Sequence, residues 1–301
     1  RATEYLHTGD QGAKFRFLSA NVIDAASGKP LFPRHVVKSF GGVRMAFIGM
    51  TLEGTPTIVT PTGVAGLNFQ DEADTVNALI RSLRNQGVLA IAVVVHEGGT
   101  QTGAIGACTG MSGAIVDIVS RLDNAVDLVI SGHTHQAYLC DLPNAAGRTI
   151  PVTSASAFGR VITNIDLTLD PVTRDVATVA KSQIVVDRTN PAITPDASIA
   201  TLVSNYNALV APIANRVVGR ITATVDRVTT AACEHKAGDL IADSQLAATA
   251  APEFGGAVVA FMNPGGVRAD FTFASSAAGE GDGNITYGET FTVQPFGNAV
   301  V

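Results

Sequence analysis

The stretch Val88-Leu89-Ala90-Ile91-Ala92-Val93-Val94-Val95-His96-Glu97-Gly98-Gly99 decides the fold, together with Val126-Asp127-Leu128-Val129-Ile130-Ser131-Gly132-His133-Thr134-His135 further on. Eight apolar residues without polar alternation suit a strand buried on both faces, as a parallel sheet requires. A helix at about 112–122 lies between this strand and the next, 126–130, so the segment reads as a strand–helix–strand crossover. Upstream, Asp71, Glu72 and Asp74 open a helix over 71–86, whose Ala73, Val76, Leu79, Ile80 and Leu83 form one apolar stripe, and Gly87 stops it. Residues 15–22 read as a strand and 36–50 as a hairpin turning at Gly41-Gly42. Further strands are expected near 150–153, 161–169 and 176–186. The fold class is therefore α/β.

The polar, proline-bearing stretch 187–196 marks a change of composition, and the helix expected at 199–217 places Leu202, Tyr206, Leu209, Ile213 and Val217 on one face. Pro212 argues against an unbroken helix there. The organisation expected is a first domain over 1–186, a linker and connecting helix over 187–217, and a second α/β or α+β domain over 218–301. The second domain should hold a helix at 238–249 and a strand at 257–261.

Composition narrows the function. The chain has 301 residues, 46% of them apolar, with 20 Lys+Arg against 26 Asp+Glu and a net charge of −6. No basic stripe is present, which argues against a nucleic-acid partner. No apolar run approaches the roughly 20 residues of a membrane span. Three cysteines are too few for a disulfide scaffold. Cys108 and Cys140 each follow a candidate site loop, which allows either a bridge or two small buried apolar residues, and Cys233 is left over.

Three of the six histidines stand in telling places. His96 ends the buried strand, and His133 and His135 follow the next one. Extended residues two apart point to one side, so His133 and His135 can face one point, at the sheet edge where open α/β folds bind ligands. Neutral imidazole is a common ligand of zinc, manganese or iron. A lone histidine at a strand end reads equally as a structural residue. The Gly-His-x-His pair favours a metal. His7, His35 and His235 have no such setting and read as surface residues.

Gly132-His133-Thr134-His135 after His96-Glu97-Gly98-Gly99 resembles the calcineurin-like metallophosphoesterases. Three later segments, Asn263-Pro264-Gly265-Gly266-Val267-Arg268-Ala269-Asp270, Ile285-Thr286-Tyr287-Gly288-Glu289 and Val293-Gln294-Pro295-Phe296-Gly297-Asn298, resemble the C-terminal domain of the 5′-nucleotidases. That group includes UDP-sugar hydrolases and 2′,3′-cyclic-nucleotide phosphodiesterases. The resemblance implies a layered metallophosphoesterase domain joined by a helical linker to a nucleotidase domain, both partial. It implies two divalent cations, with His96 and His133 on one and His135 on the other. It also implies hydrolysis of nucleotide phosphate esters by a metal-activated water, and a secreted, periplasmic or cell-surface location. Asn263, Arg268, Phe296 and Asn298 resemble the residues that hold the nucleotide. From their own context alone, 263–266 reads as a glycine turn and Phe296 as a core residue.

The chain departs from the family in two respects: it stops at Val301, where the family continues with further strands and a second base-stacking aromatic, and it lacks the family's first metal motifs. The D-x-H, GD and GNHE or GNHD motifs, which bring the bridging carboxylate, an Asn ligand and the catalytic His with its acidic partner, are absent, and Gly9-Asp10 reads as an ordinary turn. The catalytic residues are thus not assigned. The expectation is an internal portion of a longer enzyme with little activity by itself. Two alternatives stand beside it: a catalytically silent nucleotide-binding or surface protein, and a hydrolase of sulfur esters on the same scaffold.

Overall fold

A computed structural model describes residues 15–296. Gly9-Asp10, His7 and Asn298 lie outside the described residues. The chain divides into two compact units, Arg1–Pro191 and Ala192–Val301.

The first unit begins with β1 (Val22–Asp24), followed by β2 (His35–Phe40), β3 (Val43–Met50) and β4 (Leu67–Phe69). Then come α1 (Glu72–Asn85), β5 (Ala90–Val95), α2 (Ala114–Arg121) and β6 (Leu128–Ile130). It closes with β7 (Ala137–Pro143), β8 (Thr149–Ala155), β9 (Val161–Asp170) and β10 (Asp175–Val185). A six-stranded sheet runs in the order β2-β3-β5-β6-β8-β7. Its inner strands β3, β5, β6 and β8 are parallel, and the edge strands β2 and β7 are antiparallel.

Each face of this sheet has its own cover. α1 and α2 pack Val76, Leu83, Ile115 and Val119 against Ile48, Ile91, Val93 and Val129. On the other face the β9–β10 hairpin lays Ile165, Leu167, Leu169 and Val179 over Met45, Ala90, Ala92 and Leu128. Both faces of β5 are therefore covered up to Val94, which is exposed near the strand's end, and this is why it reads as an uninterrupted apolar run. Full burial of each such aliphatic side chain contributes about 1.5–3 kcal/mol. Asp71 caps α1 by accepting from the Asp74 amide at 2.8 Å, and its carboxylate also takes two bonds from Arg121 at 2.7 and 2.8 Å.

The expected strand at 15–22 is not one. Regular pairing starts at Val22, where β1 meets β4. Before it, Ser19 and Ala20 donate single bonds to Pro33 and Gly49, while Phe15 and Phe17 stay exposed. The buried Asn21 side chain breaks the ladder, bonding Thr51 through both its atoms and the Gln70 carbonyl.

The second unit holds α3 (Ala197–Ala214), β11 (Val217–Arg220), α4 (Lys236–Thr249), β12 (Asn284–Thr286) and α5 (Tyr287–Val293). Its core gathers Ala237, Ile241, Val267, Phe271, Ile285 and Val293. The helix expected to reach Val217 stops at Ala214, and Val217 instead opens β11, which pairs with β12. Pro212 lies in the last turn of α3, where few backbone bonds remain to be lost. None of the α3 side chains is buried. By length and composition alone, α3 is apolar enough to cross a membrane. The strand expected at 257–261 does not form: Val258 and Phe261 are 91% and 86% exposed, and no ladder partner lies beside them among the described residues. His235 is half-buried rather than a free surface residue, because its Nδ1 caps α4 by accepting from the Gly238 amide at 2.9 Å. His35 is half-buried too, at the start of β2.

Candidate functional site

His96 follows the last residue of β5, and its amide donates to the Met50 carbonyl at the end of β3. His133 follows β6 by three residues. The parallel register of β5 and β6 brings both to one carboxyl edge, where their ring centroids lie 5.2 Å apart at a steep angle. Burial lowers the pKa of His96, and the neighbouring His133 and, more weakly, His135 lower it further against the opposing pull of Glu97. Both effects favour the neutral form of His96, the form that can donate a lone pair to a cation.

The two loops lock together. The Gly132 amide donates to the Glu97 carbonyl at 3.1 Å, and Thr134 Oγ1 donates to the Gly99 carbonyl at 2.7 Å. A Cβ on Gly98 would lie 2.1 Å from the Gly132 carbonyl oxygen, so only glycine allows this approach. Below them, the buried Tyr138 hydroxyl shares a 2.6 Å hydrogen bond with Ser131 Oγ, which also donates to the Thr153 carbonyl at 2.8 Å.

The alternation expected between His133 and His135 is replaced by a different geometry. Both residues are left-handed, with φ of 67° and 58°, conformations rare outside glycine. The backbone therefore turns rather than extends. His135 still acts on His96 electrostatically, but its ring packs edge-on against Phe158 at 5.3 Å.

Three imidazoles at one edge have the chemistry of a divalent-metal donor set. Among the described residues, however, no His, Cys, Asp or Glu group of three at this edge has its donor atoms within 4.8 Å of one another. Among the described residues such a group occurs elsewhere, in Glu53, Asp71 and Glu72. Two of its acids are engaged in the fold: Asp71 holds Arg121, and Glu72 accepts from the Glu53 amide at 2.7 Å.

A disulfide joins Cys108 to Cys140, linking the loop that follows His96 to β7. Of the two readings left open for these cysteines, the bridge is the one formed. Cys233 is free and exposed.

In the second unit, Arg268 and Phe296 come together, the guanidinium carbon 5.1 Å from the ring centroid. Phe296 is 46% exposed and so is no core residue. Asn263 Oδ1 accepts from the Gly266 amide at 2.6 Å, which makes 263–266 a tight turn. Asp270 of the same motif is occupied by Arg227 at 2.9 Å. Sequence reasoning missed Phe158, which lies in the loop after β8 against His135, and Arg160, whose guanidinium lies over the Phe158 ring. Their only signal is a large aromatic beside a glycine at the end of a strand.

Comparison with known proteins follows the same lines. Residues 217–301 match the family described as "5′-nucleotidase, C-terminal domain". The chain is 29% identical over 293 residues to "Endonuclease YhcR" of Bacillus subtilis (strain 168), covering 97% of this chain and 22% of that protein. It is also 29% identical over 301 residues to "Cell wall protein Lmo0130" of Listeria monocytogenes serovar 1/2a, covering 94% of this chain and 37% of that one. The crystal structure of a 5′-nucleotidase precursor from Thermus thermophilus superposes with a TM-score of 0.71 at 24% identity, over 96% of this chain and 54% of that one, and so shares the fold. The chain thus spans about half the length, or less, of these relatives.

Proposed function

We propose that the chain, whose residues 217–301 match the 5′-nucleotidase C-terminal domain and which resembles 5′-nucleotidases over most of its length, is part of a metal-dependent hydrolase of nucleotide phosphate esters. The observation that carries this reading is the pairing of His96 with His133 at 5.2 Å on the shared edge of β5 and β6, with His135 close by. These three residues would hold divalent cations, zinc or manganese by donor type. When bound, such cations supply an activated water and charge to meet the phosphoryl oxygens.

The protein's own residues do the remaining work. Gly98 and Thr134 set the distance between the two histidine loops. Arg268 offers a fixed fork of donors to phosphate or ribose oxygens, and the half-exposed Phe296 ring beside it offers a face to a base. Asn263 uses its carbonyl oxygen in the turn, which leaves its amide nitrogen to donate. Asn298 is assigned to the same nucleotide site. The catalytic portion is proposed for 1–186, the substrate portion for 218–301, and 187–217 as their connector. A net charge of −6 without a basic stripe favours single nucleotides over nucleic-acid chains. The Cys108–Cys140 bridge and the cell-wall relative support an oxidising, extracellular setting.

One observation favours a second reading. No carboxylate completes a compact donor group with the imidazoles among the described residues, as in a catalytically silent nucleotide binder. Phosphate release from AMP with added Mn²⁺ or Zn²⁺, measured beside bound metal, separates the two. Metal that is lost in His133→Ala, with turnover by a longer protein that also carries D-x-H, GD and GNHE motifs, supports the hydrolase. Nucleotide binding with neither metal nor turnover supports the silent binder. Preference for a thiosulfate-type ester over AMP would point to sulfur chemistry.

A further inference from the structure

Tyr138 lies on the edge strand β7, opposite Ser154 of β8, and is completely buried. A buried phenol must spend its hydroxyl on partners, or it costs more than a phenylalanine in the same place. Here the partners define a direction. The Thr153 carbonyl can only accept, and Ser131 Oγ donates to it at 2.8 Å, so the one serine proton is spent. Tyr138 is therefore the donor in its 2.6 Å bond to Ser131 Oγ. Ser154 Oγ in turn spends its proton on the Gln136 carbonyl at 2.7 Å, which leaves the Gly99 backbone amide to donate to the phenol oxygen. The chain of bonds runs from the Gly99 amide through the Tyr138 hydroxyl and Ser131 Oγ to the Thr153 carbonyl. Gly99 is three residues after His96, and Ser131 is two before His133. In the sheet order β6-β8-β7 the phenol reaches past β8 to the end of β6. One rigid ring thus ties both histidine loops to a strand that carries neither.

We propose that Tyr138 is a positioning residue for His96 and His133, its hydroxyl fixing the spacing of the loops that carry them. The inference rests on the metal reading above and adds to it a residue outside the imidazole set. The other ties, Gly132 amide to Glu97 carbonyl and Thr134 Oγ1 to Gly99 carbonyl, run directly from one loop to the other. Tyr138 adds a link through another strand, so a shift of either loop must move a buried ring or break its bonds. A fully bonded buried polar chain selects one arrangement of the groups around it, whereas a half-bonded one is costly. Removing the hydroxyl while keeping the ring takes a partner from the Gly99 amide and a donor from Ser131. The 5.2 Å approach of the His96 and His133 rings then loses its support from below.

The test compares the wild type with Tyr138→Phe, Ser131→Ala and the double variant. Zinc calorimetry reads the affinity, and nuclear Overhauser contacts between the histidine rings of the metal-free chain read the geometry. Leu83→Ala is the control, a truncation of a buried side chain near the end of α1. The Leu83 carbonyl meets the Val88 amide before β5, whereas His96 follows the last residue of that strand. Tyr138→Phe and Ser131→Ala should each weaken zinc binding about tenfold, the lower end for disturbed ligand orientation, and each should lose the His96–His133 cross-peak. The double variant should lose no more than either single one, because both changes break one chain of bonds. Leu83→Ala should unfold at lower urea yet keep the wild-type zinc affinity and cross-peak. Wild-type affinity or an unchanged cross-peak in Tyr138→Phe, additive losses in the double variant, or an equal loss in Leu83→Ala overturns the positioning role and leaves the metal reading intact. A wild type that binds no zinc overturns both.

Discussion

Replacing Gly98 with alanine should force apart the loops that carry His96 and His133. The new Cβ would lie 2.1 Å from the Gly132 carbonyl oxygen and 2.7 Å from Thr134 Oγ1. Ordinary carbon–oxygen contacts begin near 3.3 Å, so the backbone must retreat by roughly 1 Å. The threonine hydroxyl can rotate away, but the carbonyl belongs to the backbone and cannot. That retreat strains the two bonds joining the loops, Gly132 amide to Glu97 carbonyl at 3.1 Å and Thr134 Oγ1 to Gly99 carbonyl at 2.7 Å. Overpacking costs about 1–3 kcal/mol, and each of the two lost bonds about 0.5–1.5 kcal/mol, which together give about 2–6 kcal/mol. Urea unfolding reads this directly, and calorimetry with Zn²⁺ reads the accompanying loss of metal affinity, expected at about ten- to a hundredfold when ligand orientation is disturbed. Gly63→Ala is the control, since a Cβ there meets nothing within 4 Å and its φ is ordinary. Wild-type metal affinity in Gly98→Ala would refute the idea that this close approach positions the imidazoles, whatever its stability.

The Cys108–Cys140 bridge closes a loop with a sequence separation of 32, so Cys108→Ser/Cys140→Ser should lose about 3–4 kcal/mol in urea unfolding on the chain-entropy relation; a loss below about 1 kcal/mol would contradict that. Asp127 is buried, and burial pushes its pKa up to about 6 despite the Ile91 amide and the Arg148 guanidinium that oppose the shift. Its folded value thus exceeds the ordinary 3.8, and between these values the folded chain keeps a proton that the unfolded chain has released. The resulting stabilisation is complete below 3.8 and vanishes as pH rises through about 6, a swing of about 3 kcal/mol. Unfolding free energies measured from pH 3.8 to 6.5 should show this swing in the wild type and lack it in Asp127→Asn; equal profiles would refute it.

What the sequence made legible were the elements with one dominant environment. β5 reads plainly because helices cover one face and the β9–β10 hairpin the other. α1 reads plainly because Asp71 caps it and its stripe faces the core. Misreadings arose where apolar pattern and burial part company. Residues 15–22 alternate like a strand, yet Asn21 spends its hydrogen bonds on Thr51 and Gln70 and the phenylalanines remain in solvent. Residues 257–261 are apolar enough for a strand and have no neighbour to pair with among the described residues. The neighbourhood of His133 and His135 was foreseen on the premise of an extended backbone, whereas two left-handed residues produce it. Phe158 is not legible as a neighbour of His135 because no spacing rule links the two, and only the tertiary fold brings them together.

X-ray absorption of the zinc-loaded chain tests the central claim most directly, since it reads the ligands themselves. The account predicts imidazole scattering with at least two nitrogen ligands at about 2.0–2.1 Å, reduced in His96→Ala and in His133→Ala. An all-oxygen shell without imidazole, or zinc that fails to bind at all, would contradict it.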